Sequence, residues 1–248
     1  MKQLVTREMF AGSSFEGARF PSDEAAIYWR DFLEEDECES IAKKIYKNKG
    51  IWTSSYEGEQ FSLGLAWYTF EETDTRQEYR DRLNASNAFL QREFEPVQEK
   101  ILNFLKCAAG TDRVRLRPNW GLPAFVIFPE NELTAKSGGD IHIDYNGLNE
   151  AELDDPNGKY YSFVCLIESP GAATSLRIWN KRYRSGEDKD PGVAPNNCEH
   201  YDFEYTVGGL LCFDSLVTHQ ILPFDGTRPR VCLTFHVKKS GEDWLYWF

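Results

Sequence analysis

From Val114 to Val237 the chain breaks into nine short apolar or alternating runs, each bounded by Gly, Pro, Asn or Asp. They are Val114–Arg117, Ala124–Phe128, Asp140–Tyr145, Tyr160–Ile167, Ser175–Trp179, Asp202–Thr206, Gly209–Phe213, His219–Leu222 and Arg230–Val237. Strands spaced this way predict an antiparallel sandwich or barrel rather than βαβ units. Upstream the period changes. Asp36-Glu37-Cys38-Glu39 opens an amphipathic stretch through Ile41, Ala42 and Ile45, closed by Asn48-Lys49-Gly50. Beyond Thr75, the residues Leu83, Leu90, Phe94, Val97, Ile101, Phe104 and Leu105 recur at helical intervals, and Ala108-Ala109-Gly110 ends the run. Pro96 lacks the N–H that the ladder needs, so a kink, or two helices meeting near Phe94, is expected. Helices first and strands after them predict a mainly β, jelly-roll-like barrel buttressed by N-terminal helices.

At 248 residues the chain forms one domain, divided into a helical support region (1–110), a β core (111–238) and an aromatic tail (239–248). Being 41% hydrophobic and 15% aromatic, it can pack a core, which excludes global disorder. Lys and Arg number 28 against 40 Asp and Glu, a net charge of −12, which disfavours nucleic acid and anionic lipid as partners. No apolar run reaches the roughly 18–20 residues of a membrane span. Met1–Glu8 carries charge with no apolar stretch behind it, so no secretory leader is expected. Six cysteines (Cys38, Cys107, Cys165, Cys198, Cys212, Cys232) without CxxC spacing read as thiols in a reducing compartment. A cytoplasmic protein, monomeric or homodimeric, is expected.

The chain has four histidines, His142, His200, His219 and His236. In Gly139-Asp140-Ile141-His142-Ile143-Asp144-Tyr145, period-two alternation sends His142 and Asp144 to one face and Ile141, Ile143 and Tyr145 to the other. An imidazole and a carboxylate so placed can take two adjacent positions on one metal ion. His219, opening a strand after Gly208-Gly209 and Asp214-Ser215, supplies a second imidazole. Two His and one carboxylate leave three positions open on an octahedral metal, the facial arrangement of non-haem Fe(II) oxygenases. Downstream, a guanidinium nine (Arg228) or eleven (Arg230) residues past His219 can pair bidentately with a dicarboxylate cosubstrate.

With these features the sequence resembles the 2-oxoglutarate and Fe(II)-dependent oxygenase superfamily over roughly Ala124 to Val237. The resemblance rests on His142-Ile143-Asp144, Leu176-Arg177-Ile178-Trp179, Gly209–Asp214, and His219 with the Arg that follows. It implies a double-stranded β-helix core of jelly-roll or cupin type, iron held by His142, Asp144 and His219, and 2-oxoglutarate and dioxygen as cosubstrates. It also implies that Arg228 or Arg230 binds the far carboxylate of 2-oxoglutarate. The two share a face, so parity does not separate them, but Pro229 places the start of the ladder after it and favours Arg230. Cys232 stands where the family's hydroxyl is expected, and Thr234, again on the Arg230 face, can supply it. His236 continues that face in a structural role, and His200 reads as a surface residue. A carboxylate at Asp144 leaves no position for halide, which favours hydroxylation over halogenation.

For the substrate, Asn146 and Trp179 are the candidate pocket residues. Asn180–Asn197, rich in charge, Gly and Pro, is a candidate lid, and Trp244-Leu245-Tyr246-Trp247-Phe248 either caps the barrel mouth or packs on the helices. The leading expectation is a hydroxylase of a small molecule, such as a free, basic amino acid or a natural-product intermediate. A protein or peptidyl hydroxylase of prolyl type and a non-catalytic ligand-binding jelly-roll are the alternatives. Nucleic-acid demethylation is disfavoured by charge, despite the cluster Lys181, Arg182 and Arg184.

Overall fold

The computed structural model describes residues 4–7, 15–22, 24–130, 132–171, 174–224 and 226–248. Of Met1–Glu8, read above for a leader, only residues 4–7 are among them. In chain order the elements are β1 (Leu4–Arg7), β2 (Ala26–Trp29), α1 (Glu35–Lys47), β3 (Thr53–Ser55), β4 (Gln60–Leu63), α2 (Trp67–Glu72), α3 (Arg76–Ala109), β5 (Val114–Leu116), β6 (Ala124–Phe128), α4 (Leu133–Ser137) and α5 (Glu150–Leu153). The rest are strands: β7 (Tyr160–Glu168), β8 (Ser175–Arg182), β9 (His200–Glu204), β10 (Leu210–Asp214), β11 (Val217–Ile221), β12 (Arg230–Ser240) and β13 (Asp243–Trp247).

Two sheets face each other. The larger runs β1-β2-β10-β7-β12-β6-β4-β3, and β13 and β5 extend it beside the far half of β12. The smaller runs β11-β8-β9. Strand β12 is long enough to pair with β6 through Arg230–Thr234 and with β13 through His236–Ser240, while β7 lines its other edge. Between the sheets lie Leu166, Leu176, Ile178, Phe203, Tyr205, Leu211, Phe213 and Cys232, the inward residues of both layers.

The helices cover the outer face of the larger sheet. The stripe from Leu83 to Leu105 is buried along α3, and α1 buries Cys38, Ile41, Ala42 and Ile45. Where a kink was expected, α3 continues but leaves helical geometry at Phe94 (φ −125°, ψ 24°), two residues before Pro96. The proline can neither donate to the carbonyl of Arg92 nor fit against it. Phe104 is the centre of the helix–sheet packing, with Trp29, Phe15, Phe32 and Phe163 rings at 4.9, 5.5, 5.5 and 6.0 Å.

Two regions depart from the expected division. Residues 1–110 are not solely a helical support, because β1, β2, β3 and β4 join the larger sheet. These strands have only three or four residues each, too short to show a period. The aromatic tail is not a cap but strand β13. Trp244, Tyr246 and Phe248 enter the helix-side core, and Trp247 turns to the opposite face beside His236. All six cysteines are free. Among the described residues no helix is long and apolar enough to cross a membrane.

Candidate metal centre

His142 and Asp144 lie on an extended segment between α4 and α5. Gly138 opens it with φ +84°, and a Cβ there would sit 2.6 Å from the carbonyl oxygen of Ile221, so the backbone approaches β11 as only glycine permits. The expected strand Asp140–Tyr145 is instead a single β-bridge, His142 to His219. Beside this bridge β11 shifts register against β8 between Val217 and His219. Even so, the segment is held on both edges. Toward β11, Gly139 and Asp144 N–H donate to Ile221 O at 2.9 Å and Ser215 O at 2.8 Å. On its other edge, Ile143 N–H donates to Lys189 O at 3.1 Å and Gly192 N–H to Ile141 O at 3.4 Å. The Asn180–Asn197 loop, read as a lid, is thus stitched to the ligand-bearing segment.

The alternation holds: Ile141 and Ile143 are buried, and His142 and Asp144 point the other way, toward His219. One ligand atom from each of these three residues lies within 4.8 Å of the others. Asp144 Oδ1 is 3.6 Å from His142 Nε2, and Oδ2 is 3.5 Å from His219 Nε2. The two imidazole centroids are 4.4 Å apart, and Phe213 meets the His219 ring edge-on at 4.9 Å. Both Nδ1 atoms are engaged by carbonyls, His142 with Asp140 O and His219 with Val217 O, each at 2.9 Å. A carbonyl only accepts, so each Nδ1 carries the proton and each Nε2 presents a lone pair to the common point. That donor set fits a divalent transition metal with open positions.

Burial opposes the charge on Asp144; when the imidazoles around it, His219 first, are protonated, their positive charge outweighs it and holds the carboxyl well below the usual range. His142 moves upward: burial works against its charged form, yet Asp144 prevails.

Deeper between the sheets, Arg230 is 2% exposed and has no carboxylate partner among the described residues. Its guanidinium carbon lies 5.2 Å from the Phe128 ring and 5.4 Å from that of Tyr205. Arg230 Nε, Thr234 Oγ1 and Tyr205 Oη are all buried without a hydrogen-bond partner among the described residues. Burial pushes the Tyr205 phenol upward, so it keeps its proton. Cation–π contacts of about 1–2 kcal/mol apiece offset only part of the cost of an unpaired buried charge, on the order of several kcal/mol. Arg230 and Tyr205 therefore present adjacent donors suited to an anion, and Thr234 lies four residues further along the same face of β12. Arg228 is placed differently: its side chain is 65% exposed and 3.9 Å from Glu168.

The two candidate pocket residues separate. Trp179 is corrected: across the ladder His219 pairs with Ile178, which faces the core, so Trp179 faces outward beside His200 (6.3 Å) and Arg177 (5.9 Å). Its burial satisfied the sequence pattern but belongs to the wrong side of the sheet. Asn146 sits in the turn after Asp144, and its carbonyl accepts from Trp247 Nε1 at 3.2 Å. Tyr205 and Ser162, which touches Asp144, were not singled out in the sequence. Tyr205 shares the inward parity of Phe203, a usable signal, whereas a serine within a buried run carries none.

No family model and no curated protein matches the sequence. Among solved structures the chain is similar to a novel N-substituted L-amino acid dioxygenase from Burkholderia ambifaria AMMD in complex with alpha-KG, at 11% identity and TM-score 0.57, over 91% of this chain and 87% of that one. It is also similar to the epimerase SnoN in complex with Fe3+, alpha ketoglutarate and nogalamycin RO (9% identity, TM-score 0.56, 87% and 82% covered). A third is SnoK, a non-heme alpha ketoglutarate dependent carbocyclase from nogalamycin biosynthesis (11% identity, TM-score 0.51, 88% and 83% covered). The fold is the double-stranded β-helix that these solved structures share. At these identities the likeness is one of fold, and within that fold this chain carries a His–Asp–His cluster of its own.

Proposed function

We propose that the protein is an Fe(II)- and 2-oxoglutarate-dependent oxygenase that hydroxylates an unactivated C–H bond of a small molecule. The observation that carries this reading is the convergence of His142 Nε2, His219 Nε2 and the Asp144 carboxylate on one point. Support comes from the fold of its neighbours, which bind or depend on alpha-ketoglutarate by their own descriptions, and from the buried Arg230, whose Nε has no hydrogen-bond partner among the described residues.

In this reading His142, Asp144 and His219 hold the iron, and Arg230, Thr234 and Tyr205 take the far carboxylate of 2-oxoglutarate. Thr234 supplies the hydroxyl that Cys232 lacks. Arg228, exposed and beside Glu168, has no part in it. Iron, when bound, would let dioxygen react with 2-oxoglutarate and substrate together, so that one oxygen atom of O2 becomes the hydroxyl on carbon and the other enters succinate, with carbon dioxide released. The chain orients these groups: the carbonyls of Asp140 and Val217 fix the imidazole tautomers, and Phe213 packs against His219 to keep water from that side. Asn146, in the turn beyond Asp144, is the candidate substrate contact.

A free amino acid or natural-product intermediate is the favoured substrate class. The test is succinate formation from 2-oxoglutarate with purified Fe(II)-loaded protein, against panels of free amino acids and of peptides. Turnover with a small molecule whose product gains one oxygen atom supports the proposal. Turnover confined to peptides favours the peptidyl alternative, and a product of unchanged mass favours epimerisation. Absence of both ferrous-ion binding and succinate leaves a non-catalytic jelly-roll.

A further inference from the structure

Behind Asp144 lies a polar cluster that the metal reading leaves unused. Ser162 on β7 and His236 on β12 are direct partners in the ladder, and Ser162 pairs with Phe213 on its other side. Ser162 Oγ lies 2.5 Å from Asp144 Oδ2, 2.9 Å from Ser215 Oγ and 3.1 Å from His236 Nδ1. Ser162 and Ser215 are 1% and 3% exposed, so no bulk water completes the cluster.

A hydroxyl has one proton and two lone pairs. The ionised Asp144 carboxylate can only accept, so the Ser162 proton goes to it. The Ser215 hydroxyl and the His236 Nδ1–H must then both donate to Ser162, and all three of its hydrogen-bonding valences are used. A carboxylate left alone turns readily about its last torsion, whose preference is broad. Here the serine occupies one lone pair of Oδ2 while the imidazoles flank the group at 3.5 and 3.6 Å.

We infer that Ser162, braced by Ser215 and His236, is a positioning residue that holds the Asp144 carboxylate in the orientation metal ligation requires. This rests on the metal reading proposed above. Ser162 acts through Asp144, and its effect is on the shape and affinity of the site.

The experiment is titration with Co(II) as probe, followed by its visible absorption, on the wild type, Ser162→Ala and Ser162→Thr, with thermal melting to report folding. Ser162→Ala should melt cooperatively yet bind cobalt roughly 10–100-fold more weakly and with a changed spectrum. Ser162→Thr, which keeps the hydroxyl, should return both to near wild type. A buried polar cluster with a purely structural role would shift the melt and leave spectrum and affinity alone. If Ser162→Ala does not fold, His236→Phe tests the brace from the other end and should weaken cobalt binding several-fold. Wild-type affinity and spectrum in the folded Ser162→Ala or His236→Phe protein overturn the inference. A wild-type protein that takes up no cobalt overturns the metal reading itself, which separates the two failures.

Discussion

His142 and His219, 77 residues apart in the chain, donate their backbone N–H groups to each other's carbonyl oxygens, at 3.1 and 2.9 Å. That reciprocal bridge sets the imidazoles side by side on one face. Asp144 follows two residues later, and its own N–H is anchored to Ser215 O at 2.8 Å. Backbone pairing therefore sets where the three residues stand, independently of their side chains.

Asp144→Ala should leave the barrel folded and abolish metal binding. The side chain makes no apolar packing whose loss would open a core cavity, while the backbone bridge remains. The loss in metal affinity should exceed the roughly 10–100-fold that follows removal of a partner behind a ligand. Metal titration beside a thermal melt checks both halves, and a variant that keeps wild-type affinity would remove Asp144 from the ligand set.

Arg230→Ala should weaken 2-oxoglutarate binding by about 2–4 kcal/mol, the cost of truncating one partner of a buried charge pair. This corresponds to about 30-fold or more in Kd. Arg230→Lys should restore little, because an ammonium lacks the planar fork. Arg228→Ala, at a side chain 65% exposed, should change little. Calorimetric titration of the Fe(II)-loaded variants measures all three, and the opposite ranking would return the role to Arg228.

What could be read in advance was whatever depends on local period. Alternation placed His142 and Asp144 on one face without knowledge of their strand partner, and helical spacing marked Leu83 to Leu105. Register was not legible. Arg228 and Arg230 share parity, and what distinguishes them is that β12 and its ladder start at Arg230. Trp179 was misplaced for the same reason, since its outward direction follows only from the pairing of Ile178 with His219. Ser162 was illegible for the same reason, because its place opposite His236 follows only from the pairing of β7 with β12.

Phe104→Ala should destabilise the fold by about 3–5 kcal/mol, as large-to-small changes at a buried aromatic do. Four rings close around this side chain between α3 and the larger sheet. In a chain of this size the loss corresponds to roughly 6–20 °C in Tm. Because the packing is on the sheet face away from the ligands, metal affinity of the folded variant should stay at the wild-type value. Thermal denaturation and metal titration together decide this, and a loss of affinity would mean that the helix layer shapes the site.

Stability should also fall on acidification through Glu152. The Lys238 ammonium, 6% exposed on the inward face of β12, pairs with this carboxylate, whose own side chain is 24% exposed. Burial raises the Glu152 carboxyl, but Lys238, the Asn149 N–H and the charge of Arg117 together draw it below its ordinary value. A carboxylate lowered in the folded state stabilises fully above its unfolded pKa of about 4.3 and loses that contribution as pH drops through the lower folded value. Glu152→Gln leaves Lys238 with its charge unpaired. At pH 7 this should cost about 2–3 kcal/mol, less than a fully buried pair would because Glu152 is partly in water. Urea denaturation of both proteins at pH 7 and pH 3 should show the gap narrowing in acid, whereas a gap independent of pH would assign the loss to packing.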